Sequence, residues 1–398
     1  MNRPAFIFLS PNLEKDDVAL ATKMIWRGAV GGEAEAAEEW LEKYLGRGVT
    51  AVGFNAGRSA LWAILKAAGV GAGDEVVVQA FTCVAVTNSI RWLGGRPVFA
   101  DIEKNTLNMS PESLRARITQ KTKVVVVQHT FGRMADVEKI GRICREYKIV
   151  MIEDCAHALG AEYRGQKAGT FGDGAIFSFG RDKVLSSVFG GVAVAREAGL
   201  AGKLKQVGGE VAKPDDDWVR QQLWHPVVTW AVLVTYRSGV GKLLHKLARA
   251  AGLVSPEVYP EEKKGGQPEV FPRKFDDRLA ALALRQLGKL ERFNKRRAEL
   301  AKIYGEKWGK GAVYMVIPRW VNNREEVLAK AEEQGWRWGD WYRQVVMPAA
   351  DNSVTGYVPG SCPAAEEAAE KIINLPTCPY LADRQVKEIA EKFELWSK

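Results

Sequence analysis

Residues 124–157 read VVVVQHTFGRMADVEKIGRICREYKIVMIEDCAH. The apolar, β-branched run 124–128 is followed by a helical segment, 136–147, and then by a second apolar run, 149–152. Short strands separated by a helix of about ten residues mark a βαβ unit, whose strands lie parallel. The same rhythm extends upstream. Strands are expected at 49–54, 75–78 and 97–101, and helices at 59–68, 84–93 and 111–118. Downstream, 175–179 and 191–195 read as further short strands. The expected fold class is α/β, built on a large, mostly parallel sheet. Such sheets bind ligands at the carboxyl ends of their strands. Asn55–Ser59, His129 and Asp154 all follow strands and are expected to converge there.

The rest of the chain is organised around this run. Residues 13–45 read as helical. Residues 207–270 break the rhythm: a turn at 214–217 precedes the stretch 218–256, which carries five Lys/Arg and no acid. A linker or exposed loop follows at 257–268, then a long helix at 276–308. Beyond it, a strand (314–317), a helix (324–334) and a final helix (383–393) suggest a smaller unit. The expected division is a large domain, 1–258, with an N-terminal arm and a helical insertion near 218–256, and a small C-terminal domain, 259–398, that includes the long linking helix.

Composition is that of a globular protein, with 46% hydrophobic and 26% charged residues among 398. Five scattered cysteines without a CxxC pair argue against a disulfide framework or a zinc site, and no metal is expected. A reducing, cytoplasmic setting is the natural expectation, and the N-terminus lacks the apolar core of a secretory signal. The net charge of +9 is spread along the chain, and no nucleic-acid-binding module is recognisable.

One lysine carries the chemistry. Lys183 stands in Phe177-Ser178-Phe179-Gly180-Arg181-Asp182-Lys183, after a strand, and Asp154 ends an earlier strand. A lysine amine and a carboxylate so placed are the two protein groups that pyridoxal phosphate requires. The amine bonds the cofactor aldehyde, and the carboxylate keeps the pyridinium nitrogen protonated. The phosphate needs donors, and Asn55-Ala56-Gly57-Arg58-Ser59 lies between a strand and a helix. There Gly57 permits close backbone approach and the helix start offers free N–H groups. Arg58 adds a charged fork, and Ser178 a hydroxyl. His157, three residues past Asp154, is placed to reach the cofactor's ring hydroxyl or the aspartate. Read alone, each is also consistent with a plain strand–helix turn, a capping acid or a packed histidine.

Taken in order, these residues resemble a family. Asn55 to Leu61, Gly73-Asp74-Glu75-Val76, Glu153-Asp154-Cys155-Ala156-His157, Phe177-Ser178-Phe179 and Lys183 are similar to the DegT/StrS sugar aminotransferases, fold type I pyridoxal-phosphate enzymes. Similarity continues through Pro97 to Ile102, Val127 to Gly132, Ala280 to Arg297 and Asn374 to Pro379. The resemblance implies that Lys183 forms the Schiff base and that Asp154 pairs with the ring nitrogen. It places His157 where a glutamine is usual, and Gly57, Arg58 and Ser178, with Ser59 beside them, at the phosphate. It further implies a homodimer with shared active sites, acting on a nucleotide-linked keto-sugar with glutamate or glutamine as donor, in cell-surface polysaccharide or amino-sugar biosynthesis.

Departures from the pattern cluster beside the cofactor. Arg58 stands where threonine is usual, and Cys83 where an aromatic often stacks on the ring. Val188-Phe189-Gly190-Gly191 replaces Gly-Glu-Gly-Gly, Pro272 stands in place of an asparagine that reaches the partner's phosphate, and Ala29 replaces an aromatic. Two alternatives stay open: a sugar dehydratase of the same fold, against which Lys183 argues, and a catalytically idle, cofactor- or sugar-binding regulatory relative. Lys242, His245, Lys246 and Arg249 fall on one face of a helix, so 218–256 is also a candidate for peripheral contact with an anionic membrane.

Overall fold

The computed structural model describes residues 10–236 and 240–397. Seven strands form its main sheet: β1 (Thr50–Phe54), β2 (Glu75–Gln79), β3 (Arg96–Ala100), β4 (Thr122–Gln128), β5 (Val150–Asp154), β6 (Gly174–Ser178) and β7 (Gly191–Ala195). They lie side by side as β1-β7-β6-β5-β4-β2-β3. Strands β6, β5, β4, β2 and β3 are parallel, and β7 runs antiparallel to both β1 and β6. The expected α/β class and mostly parallel sheet are thus present.

The sheet is buried on both faces, as its near-continuous valines require. Along β4, Val124 and Val126 join one hydrophobic cluster, and Val125 and Val127 join another on the opposite face. The register fixes what meets at the carboxyl edge. Gln128 pairs with Asp154, Asp154 with Ile176, and Ser178 with Gly191, which itself faces Phe54. Because β7 is reversed, its first residue lies beside the last residues of β1 and β6.

Two expected helices are each split in two. Residues 13–45 form Lys15–Arg27 and Glu33–Leu45. Between them Gly28, Gly31 and Gly32 take φ of +71°, +102° and +89°, a conformation that ends a right-handed helix and that glycine adopts freely. Residues 276–308 form Asp277–Leu287 and Leu290–Ile303, parted at Gly288-Lys289. The Lys289 ammonium there holds Asp16 (2.7 Å), Asp17 (2.9 Å) and Glu14 (3.1 Å), tying the N-terminal helix to this corner.

Two antiparallel strands, β8 (Val316–Trp320) and β9 (Ile372–Pro376), anchor a separate hydrophobic cluster that includes Leu300, Ile317, Trp338, Leu375 and Phe393. Helix α1 (Gly57–Ala67) comes after β1, and helices α2 (Asp216–Thr235) and α3 (Val240–Ala250) come after β7. The last two occupy most of the stretch 218–256. No described helix is long and apolar enough to cross a membrane.

Candidate active site

The carboxyl ends of β4, β5 and β6, the start of α1 and the loop before β7 enclose a cavity of about 360 Å³. Gly57, Arg58, Cys83, Asp154, His157, Ser178 and Lys183 all line it. Ser59 does not: it lies inside α1, fully buried, and its hydroxyl donates to Asn55 Oδ1 at 2.8 Å.

Lys183 and His157 meet inside the cavity, Nζ to Nε2, at 2.9 Å. His157 is held between aromatic rings, stacked against Phe131 (5.8 Å, 12°) and Trp341 (6.4 Å, 14°). Its Nδ1 accepts the Phe131 amide at 3.4 Å, which leaves Nε2 turned toward the lysine nitrogen. Burial, reinforced by the Lys183 charge, holds the imidazole well below the usual histidine range.

Asp154, 6% exposed, ends β5. Its Oδ1 accepts the Ala156 N–H at 3.0 Å. Burial pushes its carboxyl upward, opposed by that N–H and by Lys183. A cationic partner in the cavity would favour the ionised form.

The backbone at the start of α1 is shaped for close contact. Its N-cap, Ala56, offers no side-chain cap, so the first N–H groups of the helix lack a capping oxygen. A Cβ added at Gly57 would lie 2.8 Å from both Ser178 Cβ and Oγ, so only glycine lets strand β6 approach the helix start. The Arg58 fork is already engaged: it forms an ion pair with the fully buried Glu262 and donates to the Glu257 carbonyl at 2.7 Å. Its guanidinium also lies 4.9 Å over the Phe271 ring.

His129 is not in the cavity. Its Nε2 donates to Glu153 at 3.0 Å and its Nδ1 accepts the Ala135 amide at 3.2 Å. Glu153 further accepts the amides of Gly169, Phe171 and Gly172. Side chains alternate across a strand, so Glu153 faces away from Asp154 and takes His129 with it. The pair braces the loop before β6, and the expected convergence of His129 on the crevice is corrected accordingly.

Several lining residues carried no sequence signal. Gln128 accepts from Thr82 at 2.6 Å and donates to Thr130 at 3.0 Å. Trp341 and Tyr342 bring aromatic rings to a wall where Cys83 offers a thiol. Asp182 and Glu257 line the cavity together, and burial with the adjacent Glu257 carboxylate raises Asp182 well above the carboxylate range. Val188 lies at φ +74°, which is costly for a β-branched residue. Glycine, usual there in the resembling family, adopts that conformation freely. Phe189 packs on Trp218 (5.3 Å) and Phe271 (5.9 Å), closing the wall with apolar surface.

These residues fit pyridoxal phosphate. An amine, a buried carboxylate, a glycine cradle and an uncapped helix start all face one cavity of suitable size. Comparison with known proteins agrees. Over 215 residues the chain is 34% identical to GDP-perosamine synthase of Caulobacter vibrioides, a match covering 54% of this chain and 56% of that one. It is 28% identical to the pleiotropic regulatory protein of Geobacillus stearothermophilus, covering 86% and 83%. Among solved structures, Helicobacter pylori PseC, an aminotransferase involved in the biosynthesis of pseudoaminic acid, superposes with a TM-score of 0.75 at 20% identity, covering 100% and 99%. Its likeness shows the shared fold. Residues 12–231 and 259–394 match a single family across most of the chain. The chain belongs to the DegT/DnrJ/EryC1/StrS aminotransferase family, whose members use pyridoxal phosphate.

Proposed function

We propose that this enzyme transfers an amino group to the keto carbon of a nucleotide-linked sugar, taking it from glutamate or glutamine. The observation that carries the reading is the 2.9 Å contact of Lys183 Nζ with His157 Nε2 in the cavity that Asp154 also lines. Bound pyridoxal phosphate supplies an electron sink for charge developing at the carbon that bears the transferred nitrogen. Lys183 is the residue that would hold it, and its freed Nζ then moves the proton at that carbon. His157 Nε2 orients Nζ. Asp154 would face the ring nitrogen, the helix start at Gly57 and the Ser178 hydroxyl would bind the phosphate, and the rings of Trp341 and Tyr342 help keep water out. We further infer a cytoplasmic homodimer with shared active sites, as the resemblance implies.

The test is transamination in two halves. Glutamate or glutamine should convert the bound cofactor to its amine form, and a panel of keto-sugar nucleotides should restore it with formation of an amino sugar. A second reading, a cofactor-binding regulator, is favoured by the similarity to the pleiotropic regulatory protein. Full cofactor occupancy without turnover of any donor would support that reading instead.

A further inference from the structure

Beside the active-site cavity lies a second one, of about 560 Å³. Arg181, Lys242, Arg249, Lys263 and Arg337 line it, and Glu257 is the one acid among its described lining residues. Lys242, Arg249 and Lys263 form no ion pair among the described residues. Helix α3 supplies two of these cations at a visible cost. It leaves Val240 (49%), Leu243 (57%) and Leu247 (56%) exposed while Lys242, His245 and Arg249 line the cavity. A surface helix ordinarily turns its apolar stripe inward. Burial, with Arg249, Arg181 and Arg337 in turn, lowers His245 below its ordinary range, and all four residues line this cavity.

Two buried nitrogens lack partners among the described residues, Arg181 Nε and His225 Nδ1, while the Arg181 terminal nitrogens donate to Ser255 and Gln222. Arg181 and His225 are 5% and 3% exposed. The His225 Nε2 already contacts the hydroxyls of Ser10 (3.0 Å) and Thr229 (3.3 Å), leaving Nδ1 as the unused group. Five cations converging on one cavity with a single acid among them suit an oxyanion.

The two cavities share a wall: Arg181, Glu257, Val258 and Pro348 line both. Lys242, Arg249 and Glu257 fall in 232–258, the stretch between the two segments that match the family.

We propose that the second cavity is a diphosphate subsite that holds the phosphate-ester end of the amino-accepting substrate while its keto carbon reaches Lys183 beside the shared wall. The proposal rests on the aminotransferase reading above. A diphosphate has two sources compatible with the site. One is a nucleotide; the other is an isoprenoid lipid, whose chain would run out beside the exposed leucines of α3.

The test is calorimetric titration of the full-length holoenzyme with inorganic pyrophosphate, UDP, GDP and farnesyl diphosphate. The comparison proteins are Lys242→Ser/Arg249→Ser and, on a separate element, Arg337→Ser. The wild type should bind pyrophosphate, and the double variant should bind it at least about tenfold more weakly, with the visible cofactor band unchanged. Arg337→Ser should weaken it in the same direction. Tighter binding of UDP or GDP than of pyrophosphate assigns the nucleotide source; tighter binding of farnesyl diphosphate assigns the lipid. Equal affinity of wild type and both variants overturns the subsite and leaves the aminotransferase reading intact, as does no binding of any probe to protein showing the band. Absence of the band from wild type overturns both.

Discussion

The Lys183 amine and the His157 imidazole stand 2.9 Å apart in a buried cavity, and the histidine is neutral there because burial and the lysine charge both oppose its protonation. The unfolded chain binds a proton at this residue below its ordinary value of 6.5. Folded stability is therefore fully retained above that pH and falls as the pH drops below it. His157→Gln removes the titration. Between about pH 7.5 and about pH 5.5, thermal melting of the wild type should fall further than that of the variant, by about 1–2 °C. Buried His225 and the raised carboxyls of Asp154 and Asp182 titrate in both proteins alike and cancel in the difference.

Gly57 and Ser178 form the tightest backbone approach at the site. Gly57→Ala places a methyl 2.8 Å from Ser178 Cβ and Oγ, so helix and strand must part. Overpacking of this kind costs about 1–3 kcal/mol. Pyridoxal-phosphate affinity should fall about tenfold or more. The double variant Gly57→Ala/Ser178→Gly removes both clashing atoms and should recover folding stability, measured by denaturant titration, while cofactor affinity stays low for want of the hydroxyl. Stability unchanged in the single variant would show that the contact is not tight in solution.

Arg58 and Glu262 pair with the carboxylate fully buried. Removing one partner of such a pair costs about 3–5 kcal/mol because the other charge stays uncompensated. Arg58→Thr, the residue usual in the resembling family, should therefore destabilise markedly on its own. Arg58→Thr/Glu262→Gln should regain much of the loss in urea denaturation.

Asp154→Asn keeps the shape of the buried carboxyl and removes its charge. Cofactor should still bind, and turnover should fall by about a hundredfold or more. Turnover near that of the wild type would remove Asp154 from the proposed chemistry.

The sheet was readable because its signals are local: each strand is a short apolar run, and each crossover helix has its own periodicity. Lys183, Asp154 and Ser178 end up in one cavity because parallel strands bring their carboxyl ends to one edge. The orientation of His129 was also within reach, since alternation along β5 sets Glu153 and Asp154 on opposite faces. The helix breaks at Gly28–Gly32 and Gly288 lay hidden in otherwise continuous helical composition. Trp341, Tyr342 and Glu257 had no local signature at all. They come from segments remote in sequence and reach the cavity only through packing of the C-terminal segment and the insertion. The pairing of Arg58 with Glu262 is hidden for the same reason: 204 residues separate the partners.

The central claim is that Lys183 binds the cofactor. Purified wild-type protein and Lys183→Ala should each be incubated with pyridoxal phosphate, freed of excess cofactor and compared by absorption spectroscopy, with borohydride reduction and peptide mapping of the wild type. The account predicts a visible band in the wild type, its loss in Lys183→Ala, and a reduced cofactor adduct on Lys183. A wild type without the band, or an adduct on another lysine, would contradict it.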